Sequence, residues 1–291
     1  MELNTQIITT PPRPAATVVM LRDVDSVLEV FLLKRHGLSD VLGGAYVFPG
    51  GKMDQFDSDL DADKHLDVPL KDLHASLNEP DIDERTAGGL YVAALREVFE
   101  ESGILYAQNA GTAEAAQAHA LLREAYSFEE ALAMMRLRLE PSRLVPWVRW
   151  VTPMMSSVMN KRFDTRFFIS QVPANQIAKH DNHEATESVW LTPRAALEQY
   201  RDGQIELAPP QIMSLAHLSR YASVAEALGA ARSRKPPIVQ PQPYDDNGVR
   251  TLCYPGDEQH PVKQPAFPGP SRLIHRNKHF VPVDGFEALF A

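Results

Sequence analysis

Three carboxylates stand close together in residues 96–103, which read REVFEESG. Apolar residues recur at helical spacing up to residue 99, and Ser102-Gly103 is a typical helix end, so a helix is predicted. On a helix, Glu97, Glu100 and Glu101 share one face. Like charges at this spacing repel by roughly 0.2 to 0.5 kcal/mol per pair unless a cation binds between them. Because Mg2+ prefers oxygen ligands and leaves room for phosphate oxygens, this face predicts a metal site for a phosphorylated ligand.

A glycine turn upstream supports this interpretation. Residues 48–51 read FPGG, and such glycines give a tight turn or let the backbone approach a ligand closely. The alternative for the helix alone is an exposed amphipathic helix in which Arg96 pairs with Glu100. The turn favours the metal site over this alternative.

The bulk composition is that of an ordinary globular protein. The chain has 291 residues, of which 44% are hydrophobic and 23% charged, and this length buries a core without disulfides. The single cysteine, Cys253, cannot form an internal bridge, which fits a reducing cytoplasm, and it is assigned no role. Neither a signal peptide nor an apolar run of about 18 residues is found, so secretion and a membrane partner are not expected. A formal charge of -9 without basic clusters argues against nucleic acid as a partner.

Local patterns predict alternating strands and helices. The predicted strands are residues 15–21 and 28–33, which form a hairpin, and residues 147–151, 163–172 and 188–191. The predicted helices are residues 113–125, 127–139, 211–222 and 223–232, with a further helix that begins at Thr192-Pro193 and ends at Gly203.

The domain organisation follows from shifts in composition. Residues 1–235 are expected to form one domain, in which residues 58–86 are a solvated acidic insertion and residues 112–140 a helical elaboration. The aspartates of the insertion alternate as in a calcium loop, but Ala62 stands where that loop needs Gly and Val68 where it needs Glu. Ten of the 23 prolines follow residue 235, so residues 236–291 are predicted to be an extended or irregular tail.

Taken together, the turn and the glutamate helix resemble the Nudix hydrolase family. Its box runs Gly, five residues, Glu, seven residues, Arg-Glu-apolar-x-Glu-Glu-x-Gly-apolar, and residues 96–104 match the second half at every defined position. Two departures stand in the first half. Asp57 occupies the position of the family's Glu, and the seven-residue spacer has become residues 58–95. An interrupted box of this kind resembles the box of the mammalian peroxisomal coenzyme A diphosphatases, which carries a long insertion.

The resemblance implies a fold, a metal and a set of roles. The fold is an α/β/α sandwich with a mixed central sheet, a helical insertion and an irregular Pro-rich tail. The resemblance implies that Glu97, Glu100 and Glu101 bind Mg2+ or Mn2+, with Asp57 and the Gly51 carbonyl as further candidate ligands. The general base is either Glu97 or Glu184, which lies in the loop before a predicted strand. Arg96 is expected to orient the glutamates through charge-assisted contacts.

The expected substrate is a nucleoside diphosphate derivative, with coenzyme A or an acyl derivative first. The segment LLKR at residues 32–35, residues 43–54, residues 162–168, residues 190–193 and residues 255–257 are similar to the coenzyme A-directed branch. The candidates for phosphate contacts are Arg35, Lys52, Arg162 and Arg166. ADP-ribose or NADH remains an alternative substrate. A second alternative is that the chain is a catalytically silent Nudix-fold binding or regulatory protein. A homodimer is possible. The histidines His36, His180 and His183 lack metal-ligand spacing and are expected at the surface.

Overall fold

The computed structural model describes residues 3–39, 42–181 and 184–291, so His183 lies outside the described residues. The strands, in chain order, are β1 Asn4–Ile7, β2 Arg13–Val24, β3 Val27–Arg35, β4 Tyr46–Val47, β5 Gly50–Lys52, β6 Val145–Val151, β7 Met155–Ser157, β8 Phe163–Gln171, β9 Ala185–Leu191, β10 Ile238–Val239, β11 Gln242–Asp246, β12 Val249–Cys253, β13 Arg272–Arg276 and β14 His279–Pro282.

The helices pack on both faces of the resulting sheet. In chain order they are α1 Gln55–Asp59, α2 Ala62–His65, α3 Leu70–Leu77, α4 Glu84–Ser102, α5 Thr112–Arg123, α6 Phe128–Met135, α7 Pro193–Arg201, α8 Pro209–Leu218 and α9 Val224–Arg232, with short 3-10 helices at Pro141–Arg143 and Phe286–Phe290. Within the described residues, no helix is long and apolar enough to cross a membrane.

A mixed eight-stranded sheet forms the centre of the molecule. Its main path runs β10, β6, β8, β2, β3, β4, while β5 pairs with β2 and β9 with β3. The β2–β8 and β6–β10 pairs are parallel, and the other pairs are antiparallel. This confirms the predicted hairpin, which comprises β2 and β3.

Both faces of this sheet are buried. Along β2, Val18 and Met20 pack on the face that carries α4, whereas Val19 and Leu21 pack on the face that carries α7, α8 and α9. Side chains alternate across a strand, so consecutive apolar residues supply two separate cores. The result is the α/β/α sandwich with a mixed central sheet that the resemblance to the Nudix family implies.

Local capping signals set several helix ends as expected. The Thr192 hydroxyl accepts a hydrogen bond from the Ala195 amide at the start of α7. At the start of α6, Ser127 and Glu130 form the reciprocal capping box. The predicted helix boundaries are therefore close to the observed ones at these two positions.

The prediction of a solvated acidic loop at residues 58–86 is wrong. The insertion folds into short helices, and its leucines join the core on the α4 face: Leu60, Leu66, Leu73 and Leu77 are all buried. Helix α4 itself begins inside the supposed loop, where the Asp83 side chain accepts from the Thr86 amide. The leucines stand among charged residues without a clear period, which hides their burial from sequence analysis.

A buried charge network ties the insertion to the sheet. Both Glu79 oxygens accept hydrogen bonds from Arg166, at 3.0 and 2.5 Å, and Arg149 lies 2.8 Å from the same carboxylate. Asp164 binds Arg149 at 2.7 Å and Arg166 at 3.1 Å, so two carboxylates neutralise two guanidinium groups. Arg166 is only 4% exposed, which removes it from the candidates for phosphate contacts.

The tail is irregular only in part, because residues 254–271 contain no helix or strand whereas most of the remaining tail forms short strands. Strands β11 to β14 form a four-stranded antiparallel sheet, and β10 joins the central sheet beside β6. Leu252, Leu273 and Phe280 are buried in the same core as α8 and the central strands. Pro243 and Pro282 lie in β11 and β14, the two edge strands of this sheet, where proline is tolerated. Whether residues 1–235 act as a separate domain stays a prediction.

Candidate active site

Helix α4 presents the three predicted glutamates beside the glycine turn. Its last turn ends at Gly103, which adopts the left-handed conformation with φ 74° and donates its amide to the Phe99 carbonyl. Val98 and Phe99 are fully buried, so their packing in the core fixes the orientation of the helix about its own axis. This anchoring points the opposite face, with Glu97, Glu100 and Glu101, toward β5.

Arg96 lies at the centre of the site and contacts three carboxylates. Its Nε and one terminal nitrogen donate to the two oxygens of Asp57 at 2.8 and 2.9 Å. The other terminal nitrogen donates to Glu97 at 2.8 Å and to Glu100 at 2.9 Å. Asp57 is buried, and one of its oxygens also accepts the Asp54 amide at 2.8 Å. Both oxygens of Asp57 are therefore occupied, and the pairing fixes Arg96 across 39 residues of chain.

The glycine turn contacts two of the helix carboxylates, those of Glu101 and Glu97. The Gly50 amide donates to Glu101 at 2.9 Å. A Cβ placed on Gly51 would lie 2.5 Å from the carboxyl carbon of Glu97, so only glycine allows this carboxylate to rest against the backbone. Gly50 and Gly51 thus contact glutamates from two adjacent turns of the helix.

Burial raises the pKa of these glutamates. For Glu97, burial outweighs the lowering effect of Arg96 and brings the pKa to about 7. For Glu101, burial is again the largest cause, the Gly50 hydrogen bond opposes it, and the pKa rises to about 8. The pKa of Glu100 is raised in the same direction, chiefly by burial. The site therefore concentrates carboxylates that a single guanidinium does not fully compensate.

Glu184, the residue directly before β9, reaches the same site. Its amide donates to Asp181, its carbonyl accepts the His36 amide, and its carboxylate lies 3.9 Å from Arg35. Its negative charge contributes to the raised pKa of Glu97, Glu100 and Glu101. The structure thus brings the predicted Glu184 toward the helix face.

A cavity of about 430 Å3 opens beside these groups. Its polar lining includes Glu97, Glu184, Arg35, Lys52, Arg13, Lys161 and Gln211, and its apolar lining includes Trp150, Val151, Val158, Met159, Phe163, Phe167, Pro209, Pro210, Pro241 and Leu252. Central strands, the start of α8 and the tail all contribute. One cavity therefore joins carboxylates and cations to a long apolar surface.

Some residues predicted from the sequence do not line this cavity, and some residues that were not predicted do line it. Arg162 donates to the carbonyls of Thr152 and Thr10 and does not line the cavity. His36 and His180 make local contacts with Leu38 and Ser188. Cys253 is buried. Arg13 and Lys161 also line the cavity, and neither was predicted, because both precede the predicted strands whose alternation would have placed them.

The sequence is similar to known Nudix proteins. Residues 6–218 match the model of the NUDT19 Nudix domain. The acyl-coenzyme A diphosphatase NUDT19 of Xenopus laevis is 30% identical over 277 residues, covering 80% of this chain and 71% of that protein. The human protein of the same name is 25% identical, covering 68% of this chain and 62% of that protein. The putative nudix hydrolase 7 of Caenorhabditis elegans is 24% identical, covering 89% and 79%.

Among solved structures, a NUDIX hydrolase from Alicyclobacillus acidocaldarius is similar, with a TM-score of 0.59 and 26% identity over 78% of this chain and 98% of that one. Fold and site together define a Nudix-type diphosphatase. The chain belongs to the NUDT19 Nudix domain family.

Nudix hydrolases generally use divalent metal ions, and the donor set here fits one. Within residues 3–39, 42–181 and 184–291 no His, Cys, Asp or Glu group is already gathered as a metal cage. Arg96 lies between Glu97 and Glu100, and Glu101 is hydrogen-bonded to Gly50. The fit rests on chemistry: three carboxylates on one helix face, and a glycine cradle against which Glu97 lies.

Proposed function

We propose that this protein hydrolyses the phosphoanhydride of coenzyme A or acyl-coenzyme A. Water adds across one P–O–P linkage, giving phosphopantetheine, or its acyl form, and adenosine 3',5'-bisphosphate. The observation that carries the proposal is the cavity, which joins the carboxylates and Arg35 to an apolar surface, as a substrate with a diphosphate and a pantetheine arm requires. The acyl-coenzyme A diphosphatase name of the 30% identical relative supports the same substrate class.

In this proposal Glu97, Glu100 and Glu101, with the Gly51 carbonyl, hold Mg2+ or Mn2+. When bound there, the ion supplies positive charge to the diphosphate and lowers the pKa of the attacking water. Asp57 has a different role from that implied by the box, because both its oxygens bind Arg96. We therefore assign Asp57 and Arg96 as positioning residues for the glutamate face.

The proton is accepted by Glu97 or Glu184. Glu97 is buried against the turn, while the Glu184 side chain is 65% exposed at the mouth and able to pass a proton to solvent. Arg35 is assigned to the diphosphate, because it lines the cavity and its Nε is buried without a hydrogen-bond partner within the described part of the chain. Lys52 lies along the same wall.

The test is a substrate panel with matched variants. We expect the wild type to hydrolyse coenzyme A faster than ADP-ribose, NADH and dinucleoside polyphosphates at fixed Mg2+, with products identified by mass spectrometry. Glu100→Gln and Glu101→Gln should each lower metal-dependent turnover at least about a hundredfold, or about 2.7 kcal/mol of activation free energy. Glu129→Gln, an exposed glutamate on α6, is the control and should behave as wild type.

The alternatives correspond to different outcomes. Faster hydrolysis of ADP-ribose or NADH would replace the substrate and keep the chemistry. No turnover of any panel compound with Mg2+ or Mn2+ would favour the catalytically silent binding protein. Wild-type turnover in Glu101→Gln would remove the metal assignment, provided that circular dichroism shows a folded variant.

A further inference from the structure

Three cations that line the cavity lie in neighbouring strands or just before one. Arg13 opens β2 and lies opposite Phe163 of β8, and Lys161 precedes Phe163 by two residues. Lys52 ends β5 and lies opposite Ala15, two residues from Arg13. We call Arg13, Lys52 and Lys161 the basic rim.

The basic rim lies on the same face of the sheet as the cavity floor. Arg13, Ala15 and Thr17 all line the cavity, as expected for alternate residues of one strand. Gly51, against which Glu97 rests, lies opposite Ala16 of β2, three residues from Arg13. At about 3.3 Å per residue, Arg13 lies roughly 10 Å along β2 from Ala16, the residue opposite Gly51.

Arg13 and Lys52 differ in how far carboxylates neutralise their charges. Lys52 lies 2.7 Å from Asp54. Arg13 has no ion-pair partner among the residues that the structure describes, although the protein carries a formal charge of -9. Cations held on adjacent strands repel one another, and an anion placed among them removes that repulsion. A phosphate monoester, with its doubly charged group, suits such a site.

We propose that the basic rim, with Arg13 as the main contact, binds the 3'-phosphate of coenzyme A while the diphosphate lies at the glutamates. This assignment rests on the proposed function and adds the group that selects the substrate. A single ribose separates the 3'-phosphate from the diphosphate, in keeping with the short path along β2 from Arg13 to Ala16. ADP-ribose and NADH lack this phosphate and leave the rim without its anion.

The experiment crosses protein variants with two substrates that differ only in the 3'-phosphate. We would measure kcat/KM for coenzyme A and dephospho-coenzyme A with the wild type, Arg13→Ala, Arg13→Lys and Lys161→Ala. The wild type should prefer coenzyme A by roughly ten to a hundred and fifty times, the range of a charge-assisted contact. Arg13→Ala should lose most of that preference by slowing coenzyme A selectively, and Arg13→Lys should retain part of it.

Two controls separate this site from general charge effects and from turnover. Arg276→Ala removes the same charge from β13, outside the cavity, and should keep the wild-type preference. Calorimetric titration with adenosine 3',5'-bisphosphate and with 5'-AMP, without added metal, should show tighter binding of the bisphosphate to the wild type and equal binding to Arg13→Ala.

The outcomes distinguish this inference from the proposed function. Equal kcat/KM for the two substrates in the wild type overturns the basic rim while coenzyme A hydrolysis stands. An Arg13→Ala variant that slows both substrates equally also overturns it. If neither substrate is hydrolysed but ADP-ribose is, the proposed function has failed instead. Should Arg13→Ala not fold, Lys161→Ala and the wild-type titrations decide the same question.

Discussion

Gly51→Ala is the substitution that most directly tests whether the position of Glu97 matters. The added Cβ would lie 2.5 Å from the Glu97 carboxyl carbon and 2.5 and 2.6 Å from its oxygens. Gly51 does not have a positive φ, so alanine is compatible with its backbone. The change therefore acts on a catalytic carboxylate through space, without altering any proposed ligand side chain.

The size of the effect follows from this overlap. Carbon atoms in contact normally lie about 3.5 to 4.0 Å apart, so the Glu97 carboxylate must move by roughly 1 Å. A misplacement of about 1 Å in an active site costs roughly a hundredfold in rate. The displaced group is the end of a flexible side chain, so the free energy of unfolding should fall by only about 1 kcal/mol, reflecting the weakened Arg96 contact.

The assay is a Mg2+ titration of kcat/KM together with urea unfolding. Gly229→Ala is the matched control, because nothing lies within 4 Å of its added Cβ in α9 and alanine should stabilise that helix by about 0.5 to 1 kcal/mol. Glu97→Asp in the Gly51→Ala background should be no worse than the poorer single variant, because both changes act on one carboxylate. Wild-type turnover and metal dependence in a folded Gly51→Ala protein would refute this reasoning.

Two further predictions concern stability. Glu79→Ala should lower the free energy of unfolding by about 3 kcal/mol, because it leaves the buried Arg166 with Asp164 alone, and a loss below about 1 kcal/mol in urea unfolding would contradict the network. Burial lowers the pKa of His217, which stacks on Trp147, to about 3, against about 6.5 in the unfolded chain. The unfolded chain therefore binds the extra proton, and stability falls by up to about 1.4 kcal/mol per unit as pH drops from about 6.5 toward 3. His217→Phe should remove this fall, so a stability difference from wild type that stays constant between pH 7 and pH 5 would exclude the assignment.

Elements with a clear local period were predictable. Val18 to Leu21 combine β-branched and apolar residues, and the observed strand buries both of its faces there. The glutamate face of α4 is a consequence of the 3.6-residue repeat, which acts over three or four residues and needs no partner. Thr192 and Ser127 cap helices through bonds to residues three positions on, and those signals are equally local.

The burial of the insertion and the strand pairing of the tail were not predicted, because neither has a local signature in the sequence. Leu60, Leu66, Leu73 and Leu77 stand among aspartates and lysines, and only the surface of α4 makes them core residues. The tail strands pair with one another and with β6, and proline content does not reveal whether a partner edge is available.

The glutamate helix, the glycine turn and the alternation of the central strands follow from local sequence patterns. Long-range packing sets three other features: Asp57 binds Arg96 across the insertion, Glu79 pairs with Arg166, and Arg13 lines the same cavity as Glu97. The tail residues Pro241 and Leu252 close that cavity from the far end of the chain. The physical reason is that periodicity and capping act over a few residues, whereas these contacts join segments dozens to hundreds of residues apart. Their geometry is set by which apolar faces are buried together.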